Sequence, residues 1–144
     1  MTTARFEIGW YNGWSPAARL ATVPVQREAI RTGTIRRPTC CSICGTVHQP
    51  GCNNPIWLHD ENYADPLAAY AICRRCHRTL HTRFGMPEPW ITLVAAHSTG
   101  NGSRWFEQLT MDEGSLRQPF NETYPRGLPN ASVGSIDPVR TVDA

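Results

Sequence analysis

The sequence predicts a small α+β protein: two short strands and a helix built around a four-cysteine zinc knuckle, flanked by short helices and long irregular extensions. Three observations carry that expectation. Two Cys-x-x-Cys pairs, Cys41–Cys44 and Cys73–Cys76, are separated by 28 residues, close enough for one zinc-nucleated unit. Two histidines, His77 and His81, follow the second pair at i, i+4 spacing, which places both rings on one face of a helix. The 144 residues include 12 prolines and 11 glycines and are only 40% hydrophobic, a composition that favours long loops over a large sheet. Residues 1–37 read as an N-terminal arm and helix, 38–84 as the zinc-binding domain, and 85–144 as a C-terminal extension of short helices and a loop-rich tail.

Along the chain, "RFEIGWYNGW" alternates loosely and reads as a short strand or an aromatic-anchored arm. Ser15-Pro16 is a helix start, a capping hydroxyl followed by proline at the first helical position. The helix "PAARLA" is expected to break at Pro24 and to resume through "VPVQREAIRTG" up to Gly33. The segment "TIRRPTCCSICGTVHQPGCNNPIWLHDENY" reads as two short strands joined by turns, with Pro50-Gly51 and Asn53-Asn54-Pro55 as breakers. In "DPLAAYAICRRCHRTLHTRF", Ile72, Cys76, Leu80 and Phe84 recur every four residues, predicting a helix over its C-terminal half. Beyond Gly85, one or two short helices are split by "HSTGNG". The stretch 121–144 is expected to be extended or disordered unless docked. No internal repeat is visible.

No window of 18 apolar residues is present, which argues against a transmembrane helix and a membrane partner. The first 20 residues lack a charged start followed by an apolar run, so a cytoplasmic, reducing location is the expectation. There, paired cysteines read as metal ligands. The net charge of +2 is unevenly placed, and all 14 basic residues are arginines. Residues 31–83 carry seven of them against three acids, leaving that segment at +4 and the remainder at −2. Guanidinium forks suit phosphate oxygens, and a clustered basic patch is an electrostatic footprint of nucleic-acid binding; a solvated helix face is the plainer reading of the same charges.

Cys41, Cys44, Cys73 and Cys76 would supply the four thiolates of a tetrahedral zinc site, and that metal would contribute folding free energy to a core-poor segment. Cys40 could compete with Cys41 through a Cys-x-x-x-Cys register, and Cys52 reads as a free thiol. With four sulfurs on one zinc, His59, His77 and His81 are left for a second divalent ion such as Mg²⁺, Mn²⁺ or Ni²⁺, which could stabilise a phosphodiester transition state. The plainer alternative is that one histidine replaces a cysteine in a single Cys3His site. His48 and His97 have no companions at useful spacing and read as surface residues. Trp10, Trp14, Trp90 and Trp105 read as core or loop anchors.

The run "CSICG … LHDENYADPLAAYAICRRCHRTLH" resembles an HNH nuclease domain of the zinc-knuckle type, over roughly residues 38–84. The resemblance implies a ββα-metal fold, in which a hairpin and one helix clamp a catalytic metal beside a structural zinc. It implies that Cys41, Cys44, Cys73 and Cys76 hold the zinc and that His77 and His81 are helix-borne ligands of the catalytic metal. The family usually carries His-His or Asp-His on the hairpin, the first binding metal and the second activating water. This chain has Leu58-His59-Asp60 instead. Aligned through "ENYADPL", His59 takes the ligand place and Asp60 the place of the base. Aligned the other way, His59 is the base and Leu58 leaves a ligand missing. An ordinary Asp, with a pKa near ~4, accepts a proton less readily than imidazole at neutral pH. Asn62 and Asp65 are candidates to orient the loop.

The resemblance thus implies a metal-dependent DNA endonuclease or nickase, with Arg74, Arg75, Arg78 and Arg83 holding the nucleic-acid backbone. The competing expectation is a non-catalytic zinc module that binds nucleic acid or a protein, the latter through the C-terminal extension.

Overall fold

The computed structural model of the chain describes residues 8–51, 53–100 and 104–115. The expectations for Cys52 and for the stretch 121–144 lie outside these residues. The elements run α1 (Pro16–Arg31), β1 (Ile56–Asp60), β2 (Ala69–Cys73), α2 (Arg74–His81) and α3 (Pro87–His97), with a 3₁₀ turn at Trp105–Gln108. The result is a small α+β arrangement with a two-stranded sheet and three α-helices among the described residues.

β1 and β2 form an antiparallel pair in the register Ile56 opposite Cys73 through Asp60 opposite Ala69. Their connection is shaped by Asn62, whose side chain accepts a hydrogen bond from the Ala64 amide at 3.0 Å, while Asp65 accepts from the Ala68 amide at 3.0 Å. The helix expected from the spacing of Ile72, Cys76 and Leu80 begins only at Arg74, and Ile72 belongs to β2. All five residues of β2 are buried. A strand covered on both faces shows no alternation, so "AYAIC" carries no period-two signal to separate it from a helix. Of the two strands expected before Tyr63, only β1 forms. The cysteine segment contributes an isolated bridge between Cys40 and Val47.

α1 also departs from expectation, because it runs unbroken through Pro24. Ser15 caps its start by accepting from the Ala18 amide at 3.1 Å. An interior proline removes one backbone hydrogen bond and crowds the preceding turn. Here buried Thr22, Gln26 and Ala29 anchor both halves against the rest of the protein, so tertiary packing overrides the local penalty.

Ahead of α1, Tyr11-Asn12-Gly13-Trp14 closes a two-residue turn with paired backbone bonds of 3.1 and 2.8 Å. Asn12 and Gly13 both take positive φ, 47° and 89°, the backbone for which Asn-Gly is the preferred pair. The turn aims Tyr11 inward. One continuous core joins Tyr11, Ile43, Ile56, β2, Leu80, Trp90, Trp105 and Phe106. Trp105 stacks on Tyr70 at 4.5 Å with an interplanar angle of 11°, and its indole N–H donates to Ser42 Oγ at 3.0 Å. Full burial of side chains such as Ile72, Leu80 and Trp105 stabilises by roughly 1.5–3 kcal/mol each, and it locks the hairpin and α2 together.

Candidate metal centres

The four cysteines of the doubled Cys-x-x-Cys pattern come together. Their sulfurs lie within 4.8 Å of one another. Cys44 Sγ and Cys73 Sγ are 3.8 Å apart, about the sulfur–sulfur edge of a tetrahedron with Zn–S bonds of ≈ 2.3 Å. Local backbone prepares each pair. The amides of Ile43 and Cys44 donate to Cys41 Sγ at 3.4 and 3.5 Å, and the Cys76 amide donates to Cys73 Sγ at 3.4 Å. Gly45, at φ 78°, closes the first turn by donating to the Cys41 carbonyl at 3.0 Å. Cys73 doubles as the N-cap of α2, so the strand-to-helix junction itself positions a ligand. The hydrogen bond with Cys41 lowers the Cys73 thiol to about 6, and contacts with the other three sulfurs, Cys41 first, drive Cys76 far above the thiol range. Four sulfurs so crowded can all be thiolates only around a cation, and the donor set fits zinc. Cys40 stays outside the cluster, with Sγ 3.4 Å from the Gly45 carbonyl oxygen.

A second cluster is formed by His59, His77 and His81, whose ligand nitrogens also lie within 4.8 Å of one another. The ring centroids are 5.1 Å apart for His59–His77, 5.2 Å for His59–His81 and 4.4 Å for His77–His81. β1 supplies the first histidine and one face of α2 the other two. His59 is buried, and its Nε2 pairs with Glu61 Oε2 at 2.5 Å. That leaves Nδ1 buried and without a hydrogen-bond partner among the described residues. An orphaned buried nitrogen is costly, and a metal ion shared with His77 and His81 would satisfy it. Burial, and then His59 nearby, lowers His77 to about 3 and holds His81 well below the usual imidazole range. Both rings therefore keep free lone pairs at neutral pH, as ligation requires.

Behind His59 lies a buried network that residue spacing did not disclose. Glu61 Oε2 also accepts from the Tyr11 hydroxyl, which in turn accepts from Arg83 Nη1 at 2.8 Å. The Tyr11 ring packs 4.5 Å from that of His81. Burial, reinforced by the Glu61 carboxylate, raises the Tyr11 phenol well above its ordinary value. The Asn-Gly pair after Tyr11 was the available signal for an inward-aimed arm, and Glu61, two residues beyond His59, was the available signal for a carboxylate partner.

The other sequence-designated residues divide. Asp60 is not with the histidines. Strand alternation turns it to the opposite face from His59, where Gln26 Nε2 of α1 donates to both carboxylate oxygens at 2.9 and 2.8 Å. Burial raises Asp60 to about 7, opposed by the Gln26 hydrogen bond. The expectation that Asp60 activates water beside a His59-bound metal is therefore corrected by the pleat of β1. Arg83 is also corrected as a backbone-binding residue. It is fully buried, donates to the Leu80 and Thr110 carbonyls at 3.0 and 2.9 Å, and lies over the Phe84 ring at 4.2 Å.

Arg75 and Arg78 are exposed and Arg74 is half-buried. Arg74 and Arg78, with Arg19, line an open cleft of about 810 Å³ that contains His77 and His81. Arg74, Arg75 and Arg78 continue into a neighbouring hollow of about 540 Å³ with Asn53 and Asn54. The first amides of α2 are already engaged: Arg74 donates to the Pro55 carbonyl at 2.9 Å and Arg75 to Asn54 Oδ1 at 3.0 Å. Any anion there would meet guanidinium groups rather than a helix terminus. His48 is exposed, and His97 ends α3. No described helix is long and apolar enough to cross a membrane. No protein family, curated protein or solved structure matches the chain.

Proposed function

We propose that this chain is an HNH-like, metal-dependent endonuclease that hydrolyses DNA phosphodiester bonds, with a structural zinc on Cys41, Cys44, Cys73 and Cys76 and a second divalent ion on His59, His77 and His81. The observation that carries the reading is the separation of two donor sets. Four sulfurs form one cluster and three imidazoles another, and the second borders a cleft lined by Arg19, Arg74 and Arg78. The order hairpin, then helix, with ligands from β1 and α2, supports the ββα-metal comparison.

A divalent ion bound there would polarise the phosphoryl group and stabilise the leaving oxygen. His77 and His81 hold two ligand positions from one helical face. Glu61 fixes the His59 ring by accepting at Nε2, so Nδ1 carries the lone pair. With Asp60 turned toward α1 and His59 Nδ1 taken as a ligand, the nucleophile would be water on the same ion, its pKa lowered by the metal. Arg74 and Arg78 would hold the flanking phosphates in a salt-dependent, sequence-independent manner. Three nitrogen donors favour Zn²⁺ or Ni²⁺ over Mn²⁺ and Mg²⁺, which prefer oxygen ligands.

The placement of Asp60 favours one other reading, a zinc module that binds nucleic acid without cutting it. A plasmid-nicking assay with added Mg²⁺, Mn²⁺, Ni²⁺ or Zn²⁺ separates the two. The wild type is expected to convert supercoiled DNA to nicked or linear forms, and His81→Ala is expected to lose that activity while keeping its cysteine-bound zinc. If both proteins bind DNA equally and leave plasmid and single-stranded circular DNA intact with every metal, the nuclease reading is wrong.

A further inference from the structure

The face of β1 that presents His59 also presents Trp57, two residues earlier. Trp57, the second residue of β1, is 43% exposed. Its indole meets the His77 ring edge-on, with centroids 5.8 Å apart. Trp57 is also shared by two clefts. One is the histidine cleft with Arg19, Arg74 and Arg78. The other, about 420 Å³, runs between β1 and α1 and carries Arg27, Arg37 and His48. Neither Asp nor Glu is among the described residues that line either cleft.

An open aromatic ring with cations on both sides is the arrangement that binds an unpaired strand. A base stacks on the ring while the guanidinium groups follow the phosphates on either side. A base inside a duplex is covered by its neighbours on both faces and cannot reach such a ring without being unstacked.

We propose that Trp57 is a base-stacking platform and that the nucleic acid entering the three-histidine cleft is single-stranded there, its backbone passing from Arg74 and Arg78 on one side to Arg27 and Arg37 on the other. This proposal rests on the phosphodiester reading of the site and names its substrate class.

The test is fluorescence anisotropy of a labelled 15-nucleotide single strand and of the same sequence as a blunt duplex. The full chain is used with its zinc and no added divalent ion, at several salt concentrations. The single strand is expected to bind at least about ten-fold tighter than the duplex. Trp57→Ala should weaken single-strand binding by on the order of ten-fold, in the range of one base stacked on an aromatic side chain, and Trp57→Phe should retain most of it. Arg27→Gln with Arg37→Gln should weaken binding and reduce the salt slope by about 1.4, the value for two phosphate contacts on a single strand. Zinc content and circular dichroism confirm folding, and the arginine pair tests the path should Trp57→Ala fail to fold.

Equal or tighter duplex binding overturns the proposal. So does unchanged single-strand affinity in Trp57→Ala, including the case in which Trp57 is covered by a second copy of the chain. Binding and cutting are read separately. Single-strand binding through Trp57 without cleavage by any metal defeats only the nuclease reading. Duplex cleavage that survives Trp57→Ala defeats only this one.

Discussion

Glu61→Gln should weaken the three-histidine site without disturbing the four-cysteine site. Glu61 is 1% exposed, and one of its oxygens receives both the His59 ring and the Tyr11 hydroxyl. Glutamine keeps the volume and can place its carbonyl oxygen where both donors meet, but it removes the negative charge that binds the His59 ring and leaves a buried amide group at the position of Oε1, which has no hydrogen-bond partner among the described residues. A hydrogen bond to a charged group contributes about 1.5–3 kcal/mol, and removing the partner that orients a metal-ligating histidine typically lowers metal affinity about 10- to 100-fold. The two ranges agree, since ten-fold corresponds to about 1.4 kcal/mol. The assay is a competitive Co²⁺ titration of zinc-loaded protein, in which weak ligand-field bands report nitrogen ligation and thiolate charge-transfer bands report any invasion of the sulfur site. Wild type should take up one additional ion and Glu61→Gln the same ion about 10- to 100-fold more weakly. Unchanged affinity in a folded Glu61→Gln protein would refute the argument that this carboxylate sets the His59 ring.

Other consequences can be measured directly. Cys73→Ser removes one of the four clustered sulfurs and the cap of α2 together, so on the proposed zinc site it should abolish stoichiometric zinc and cooperative thermal unfolding, read by metal analysis and circular dichroism. Arg83→Met should destabilise by about 3 kcal/mol in denaturant unfolding, because it strands the buried Tyr11–Glu61 pair, whereas exposed Arg78→Ala should stay within about 0.5 kcal/mol. Asp60 has a folded pKa raised to about 7 from an ordinary 3.8. The folded state therefore holds a proton that the unfolded state releases, and stability should fall as pH rises between those values, by up to roughly 4 kcal/mol. Asp60→Asn should flatten that slope and be the more stable protein at pH 8, as followed by urea unfolding across pH. His77 has the opposite sign. Its pKa is lowered to about 3, so the unfolded state takes up the proton first, and protein with zinc on its cysteines and no second ion should lose stability as pH falls below about 6.5; His77→Gln should remove part of that loss.

Several parts of this protein were legible from residue order because their geometry is local. Cys-x-x-Cys pairs need only a tight turn to bring their sulfurs together, and His77 and His81 need only a helix to share a face, so which donor atoms gather follows from spacing. Ser15-Pro16 likewise marked the start of α1, since a cap acts over three residues. The end of β2 was hidden because a strand buried on both sides has no alternation, and a regular recurrence of Ile72, Cys76 and Leu80 mimicked a helix across the junction.

The division of labour between neighbouring residues was decided by tertiary structure alone. His59 and Asp60 are adjacent in sequence, yet the pleat sends one to α2 and the other to α1, where Gln26 receives it. Arg78 and Arg83 look alike in a basic run, but a partly turned helix end leaves the first in solvent and buries the second beneath Tyr11. Glu61, Tyr11 and Arg83 meet from three distant parts of the chain. Sequence by itself determined which atoms could bind metal. Packing determined which carboxylate stands behind the histidines, because a buried charge is retained only where partners from elsewhere in the fold converge on it.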